Sequence, residues 1–147
     1  MGNIYYYFKT KDELVGAVID AYSSDLRARL SSLDRHRTPK ARLKGLIRGL
    51  ADQREVAAQF GCPMGTLCSE LDKRHDDLEG AAAELLTLSV DWAEQQFRSM
   101  GRDDARDLAV ALVAAYQGIS LLTNTLQDPE LMVREGRRLD RWIDSLA

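Results

Sequence analysis

Apolar residues recur at helical spacing along nearly the whole chain, and short polar breaks divide the pattern into segments. Thr10 followed three residues later by Glu13 forms a capping box, whose side-chain oxygens satisfy backbone donors left unpaired at a helix start. A helix is expected from there to about Leu33, burying a face of Leu14, Val18, Ala21, Tyr22, Leu26, Leu30 and Leu33. Asp34 to Pro39 is polar, and Thr38 as cap with Pro39 at the first helical position starts a second helix, with Leu43, Leu46, Ile47 and Leu50 inside. Gly61-Cys62-Pro63-Met64-Gly65 forbids a continuous helix, so a short one is expected from about Thr66 to Leu71. Asp76 or Asp77 can cap a long helix that reaches Met100 and closes at Gly101; Leu78, Ala82, Leu85, Leu88, Ser89, Trp92, Gln96 and Met100 share a side of it. Asp103 or Asp104 caps the next, Ala105 to about Gln127. Its stretch from Leu108 to Tyr116 is apolar all round, which predicts protein on most of its circumference. Asp128-Pro129 starts the last helix, with Met132, Leu139, Trp142, Ile143 and Leu146 on one side and Arg134, Arg137, Arg138 and Arg141 on the rest. No two-residue alternation or hairpin turn occurs, so the fold class is all-α.

Composition narrows the setting. A chain of 147 residues, 45% of them hydrophobic, is large enough for one real core. Its net charge of -3 means that any binding to nucleic acid must rest on local positive charge. One such concentration runs from Arg27 to Arg48, with eight Lys or Arg against the single acid Asp34. It is either a solvated face or an electrostatic surface toward DNA or an acidic partner. The two cysteines, Cys62 and Cys68, match no common metal spacing and have only His36 and His75 as imidazole company. A reducing cytoplasmic setting with no metal, cofactor or disulfide follows. The chain shows no basic-then-apolar leader, and Gln117, Ser120 and Asn124 interrupt its most apolar segment, so no membrane association is expected.

Two chemistries remain open for the interior. Around the glycine-rich break, Phe60, Cys62, Met64, Leu67 and Cys68 are soft and adaptable, and farther on Leu86, Trp92, Tyr116 and Gln117 mix large apolar groups with a few polar ones. They read either as the wall of a small-molecule pocket for an apolar or amphipathic ligand or as ordinary core. An enzyme is disfavoured, since no paired His and Glu at helical spacing, phosphate loop or serine elbow is present.

The first residues carry the most specific signal. Gly2-Asn3-Ile4-Tyr5-Tyr6-Tyr7-Phe8-Lys9-Thr10-Lys11-Asp12-Glu13-Leu14 places four aromatics beside lysines, a combination suited to gripping phosphates or, alternatively, to docking on the core. The block resembles the end of the helix-turn-helix in tetracycline-repressor (TetR) type transcriptional regulators, where the recognition helix runs into an aromatic block and then Lys-x-Lys-(Asp/Glu)-Glu-Leu. The Gly-Cys-Pro-x-Gly junction is similar to a turn in one branch of the same family, beside its ligand pocket.

The resemblance implies residues 1–10 as a remnant of the DNA-binding head and 11–147 as an effector-binding and dimerisation body. It implies Tyr5, Tyr6, Tyr7, Lys9 and Lys11 at the DNA backbone, with Gly2 and Asn3 on the base-facing side; Tyr5 or Tyr6 can instead be core. It further implies a homodimer through the last two helices, a body helix that links pocket to head, and control of transcription, most simply repression, through a bound small molecule. Family members carry further helices before this block. Operator binding is therefore expected only with those helices present, since a reader helix needs the first helix to support it. The rival reading is an all-α interaction or ligand-binding module that never touches DNA.

Overall fold

The computed structural model describes residues 7–71 and 79–146, with the side chains of residues 68–71, 79, 81 and 82 outside that description. Seven helices make up this region: α1 (Lys11–Leu33), α2 (Pro39–Ala51), α3 (Arg54–Phe60), α4 (Pro63–Leu71), α5 (Glu79–Ser99), α6 (Ala105–Leu126) and α7 (Pro129–Ser145). No strand occurs among the described residues.

Most helix ends follow from local chemistry. Thr10 Oγ1 accepts from Glu13 N at 3.1 Å, and the Glu13 carboxylate reaches back to Lys9 N at 2.7 Å. Thr38 Oγ1 accepts from Ala41 N and Asp128 Oδ1 from Leu131 N, each ahead of a proline in the first turn. Gly101, at φ +80, ends α5 in a Schellman arrangement, with Arg102 N donating to Phe97 O and Gly101 N to Arg98 O. Asp104 sits at the cap position of α6 but makes no capping bond, because Arg102 engages both its carboxylate oxygens at 2.9 and 3.0 Å. The expected caps Asp76 and Asp77, and Leu78 of the α5 stripe, lie outside the described residues.

Several expectations are corrected. On α1 the inward face uses Ile19 and Leu30 with Val15, Tyr22, Leu26 and Leu33, whereas Val18 is 48% exposed and Ala21 is also outside. The predicted stripe was mixed: Leu14, Val18 and Ala21 each precede an inward residue by one position, about 100° around the helix. The short helix after the glycine-rich break begins at Pro63, three residues earlier than expected, because proline needs no N–H in a first turn. A separate α3 precedes it, ended by Gly61 at φ +75 and ψ -165.

Two clusters form the core. The larger joins the far half of α1 to α2, α5, α6 and α7 around the fully buried Leu43, Phe97 and Ile143, with the Phe97 and Trp142 rings edge to face at 6.1 Å. The smaller gathers Ile19, Cys62, Met64 and Leu85 beneath α4. Helix α6 lies against α3, α5 and α7, and Ala105, Ala109, Leu112, Ile119, Ser120 and Thr123 are buried there. Its opposite side is open in the single chain, with Val110, Leu121 and Leu122 all at least 48% exposed. Within one chain its three partner helices occupy one half, so cover on most of its circumference needs protein from outside that chain. By length and composition alone this 22-residue helix could also cross a bilayer, a test that core helices of soluble proteins pass as well.

The basic run is largely answered within the chain. Lys44 Nζ lies 3.1 Å from Asp140 and 2.7 Å from Asp144 of α7, Lys40 Nζ donates to Asp144 O, and Arg48 approaches Asp140. Arg42 donates to His36 O and to Gln96 Oε1. These contacts clamp α2 onto α7 and α5, so the run is in good part structural.

Candidate functional site

The arrangement of helices leaves a partly enclosed cavity of about 90 Å³ in the middle of the body. Its wall is built from the mid-section of α1 (Tyr22, Leu26, Leu30), the buried stripe of α2 (Leu46, Ile47, Leu50) and the first turn of α4 (Pro63, Met64). Ser89 of α5, Leu112, Val113 and Tyr116 of α6 and Leu139 of α7 close it, with Asp25, Arg29 and Gln53 at the rim. Each helix contributes the edge of its apolar face, which is why the space is greasy with few polar atoms. Asp25 and Arg29 pair at 3.8 Å, one turn apart on α1, with side chains mostly exposed.

Of the sequence-predicted pocket residues, Met64 and Tyr116 line this cavity. Cys62, buried at the junction of α3 and α4, places Sγ 3.7 Å from the Tyr116 hydroxyl and accepts from Gly65 N at 3.5 Å. Burial pushes the Tyr116 phenol well above its ordinary pKa; the adjacent thiol adds to the shift and the Ser120 hydroxyl opposes it. Leu67 and Leu86 pack beside Tyr116 in the smaller core cluster. Gln117 turns toward the start of α4, its Oε1 2.8 Å from where a Cβ on Gly65 would sit, so a side chain there would displace the flexible end of Gln117. Trp92 does not line the cavity: it is 9% exposed in the larger core, and its Nε1 donates to Asp34 Oδ1 at 3.1 Å, just past the end of α1. Phe60 does not line it either and is 66% exposed at the end of α3. The Cys68 side chain lies outside the described residues.

Sequence reasoning missed the contribution of α1, α2 and α7 to the wall. Their residues were visible only as core stripes, and a stripe does not say which of its members border a void. Ser89 was visible as a polar position among apolar ones.

At the other end of α1, Tyr7 is 75% exposed and Lys9 and Lys11 are exposed, while Gly2, Asn3, Tyr5 and Tyr6 lie outside the described residues. α1 thus connects the aromatic block to the cavity wall within one continuous helix of 23 residues.

Residues 39–137 match a protein family described as "Transcriptional regulator LmrA/YxaF-like, C-terminal domain", about two thirds of the chain. The chain belongs to the TetR family of transcriptional regulators. A TetR-family assignment also fits a relative in Lactococcus lactis subsp. lactis, an uncharacterized HTH-type transcriptional regulator in the lacX 3' region. It is 32% identical over 133 residues, covering 86% of this chain and 68% of the relative. Among solved structures, a TetR transcriptional regulator from Legionella pneumophila superposes with a TM-score of 0.83 at 19% identity, covering 95% of this chain and 77% of that one. SCO4454, a TetR-family transcriptional regulator from Streptomyces coelicolor, does so with 0.83 at 18%, covering 95% and 74%. At those identities the likeness establishes the TetR fold alone. TetR-family members are soluble transcriptional regulators that act as DNA-binding dimers, which sets the general kind of partner for this chain.

Proposed function

We propose that this protein is a ligand-responsive regulator, most simply a repressor, in which a small molecule bound in the central cavity alters operator binding. The observation that carries this reading is the double role of α1: Tyr22, Leu26 and Leu30 form cavity wall, and the N-terminal end of the helix holds the Tyr7 to Lys11 segment. A ligand that favours one position of α1 also favours one position of the reading head, and its differential affinity for the two positions sets the coupling. Tyr7, Lys9 and Lys11 grip phosphates, Tyr5 and Tyr6 dock or grip the backbone, and Gly2 and Asn3 face the bases. Residues 1–10 belong with the head and 11–147 with the body. Two copies pair through α6 and α7 in a two-fold dimer, a reading supported by the open apolar stripe of α6.

Specific recognition requires a first helix that crosses the DNA backbone and supports the reader. The test therefore compares the 147-residue chain with a version carrying a complete helix-turn-helix ahead of Met1, by electrophoretic shift of the duplex upstream of its own gene. The extended version shifts the duplex and a cavity ligand releases it, while the shorter chain does not shift it. Failure of the extended version to bind that duplex overturns autoregulatory repression.

A further inference from the structure

The cavity wall is mostly hydrocarbon, and its few hydroxyls narrow what it can hold. Behind the wall, the Tyr116 hydroxyl lies 3.7 Å from a thiol sulfur, Cys62 Sγ, and beside the Ser120 hydroxyl. Sulfur is a weak acceptor, and this one already receives the Gly65 N–H at 3.5 Å. One turn along α6, Ser120 is fully buried, bears on the same phenol, and has an Oγ with no hydrogen-bond partner among the described residues. Ser89 and Tyr22 bring further hydroxyls to the wall, and Tyr22 also acts on the Tyr116 phenol. The charged lining residues, Asp25 and Arg29, pair with each other at 3.8 Å and keep their side chains 74% and 58% exposed. The remaining surface is hydrocarbon from residues such as Leu26, Ile47, Leu112 and Leu139.

We infer that the Tyr116 hydroxyl donates to an uncharged carbonyl oxygen, and that the ligand class is a neutral carbonyl-bearing lipophile such as a ketone, ester or lactone. This rests on the reading of the cavity as the effector pocket. The phenol is the donor because a tyrosine is protonated across the physiological range, and burial only pushes its pKa further up. A carbonyl oxygen replaces a poor sulfur acceptor with a good one, whereas a plain hydrocarbon leaves the hydroxyl as it stands. A carboxylate would be stripped of water in a cavity whose one lining cation, Arg29, is already paired with Asp25. The enclosed volume, about 90 Å³, is below the ~150 Å³ that takes up a benzene ring, so it suits a short chain or the carbonyl end of a ring whose remainder lies toward the open rim.

The test titrates the full chain with three probes sharing one ring: 4-methylacetophenone, 4-ethyltoluene and 4-methylbenzoate, by calorimetry, on the wild type and on Tyr116→Phe. The ketone is expected to bind roughly 3- to 10-fold more tightly than the hydrocarbon, the scale of one neutral hydrogen bond, with the benzoate weakest. Tyr116→Phe removes the ketone's advantage and leaves hydrocarbon affinity unchanged, which also shows that the variant is folded. Benzoate binding best, or a ketone preference that survives Tyr116→Phe, overturns the carbonyl inference while the pocket reading stands. Leu112→Trp, which fills the cavity, separates the two readings. If no probe binds the wild type, or if all three bind Leu112→Trp as they bind the wild type, the pocket reading fails and takes the inference with it.

Discussion

Replacing Leu121 by Glu tests the dimer proposed through α6 and α7. Leu121 is 65% exposed on the open stripe that also carries Val110, Ala114, Gly118 and Leu122, so it contributes little to the fold of a single chain. Full burial of a leucine side chain is worth about 1.5–3 kcal/mol, and covering the exposed two thirds gives about 1–2 kcal/mol per copy. A two-fold interface contains the residue twice, so the loss is about 2–4 kcal/mol, or roughly 30- to 1,000-fold in the dimer dissociation constant. Desolvating the new carboxylates adds to this. Leu122 is a poorer choice, since it lines the groove between α6 and α7 beside Arg134 and Arg138, where a carboxylate would find cations. Sedimentation equilibrium across the micromolar range reads the constant, and far-ultraviolet circular dichroism checks that helix content is retained. A wild type that is monomeric throughout, or a variant that dimerises like the wild type, refutes the reasoning.

Three further outcomes concern the body. Phe97→Ala removes a fully buried ring that meets Trp142 edge to face, and should cost about 3–5 kcal/mol in urea unfolding. Gly61→Ala is expected to destabilise by about 1–3 kcal/mol, measured the same way, because φ +75 with ψ -165 is a glycine conformation. The cost comes from backbone strain and not from collision, since the added Cβ would meet Asn124 only at 3.6 Å. The Lys44 ammonium holds the Asp144 carboxyl below the usual range, and that carboxylate with Asp140 raises the Lys44 pKa. The Asp144 contribution is present above the ordinary carboxylate value and lost as pH falls through the lowered folded one. The Lys44 contribution is complete below 10.5 and lost as pH rises through its raised folded value. Urea midpoints should therefore decline at both extremes, and Lys44→Met should flatten both limbs; an unchanged acid limb would remove Asp144 from the account.

The helix starts at Thr10, Thr38 and Asp128 were legible because each depends on a side chain bonding a backbone group three residues away. The start of α3 had no such signal. Its cap position, Gln53, makes no capping side-chain bond, and the Ala58 carbonyl near its end is held by the amides of Asn124 on α6 and Gln127 just past it, each at 2.8 Å. Those partners are 66 and 69 residues distant, so nothing near α3 announces them. Trp92 misled for the same reason: a tryptophan among polar helix positions suits a pocket wall, but Asp34, 58 residues earlier, takes its N–H.

The family was readable in the aromatic-lysine block at the N-terminus, where contiguous residues preserve a motif whatever the body packs against. All-α character was equally readable, since helical period and cap chemistry act over a few residues. Packing settled what those short-range rules leave open: which of two adjacent stripes on α1 turns inward, whether the basic run faces solvent or the acids of α7, and which stripe members border a void. Those are relations between residues far apart in the chain, where burial and charge pairing depend on what another helix brings to the same place.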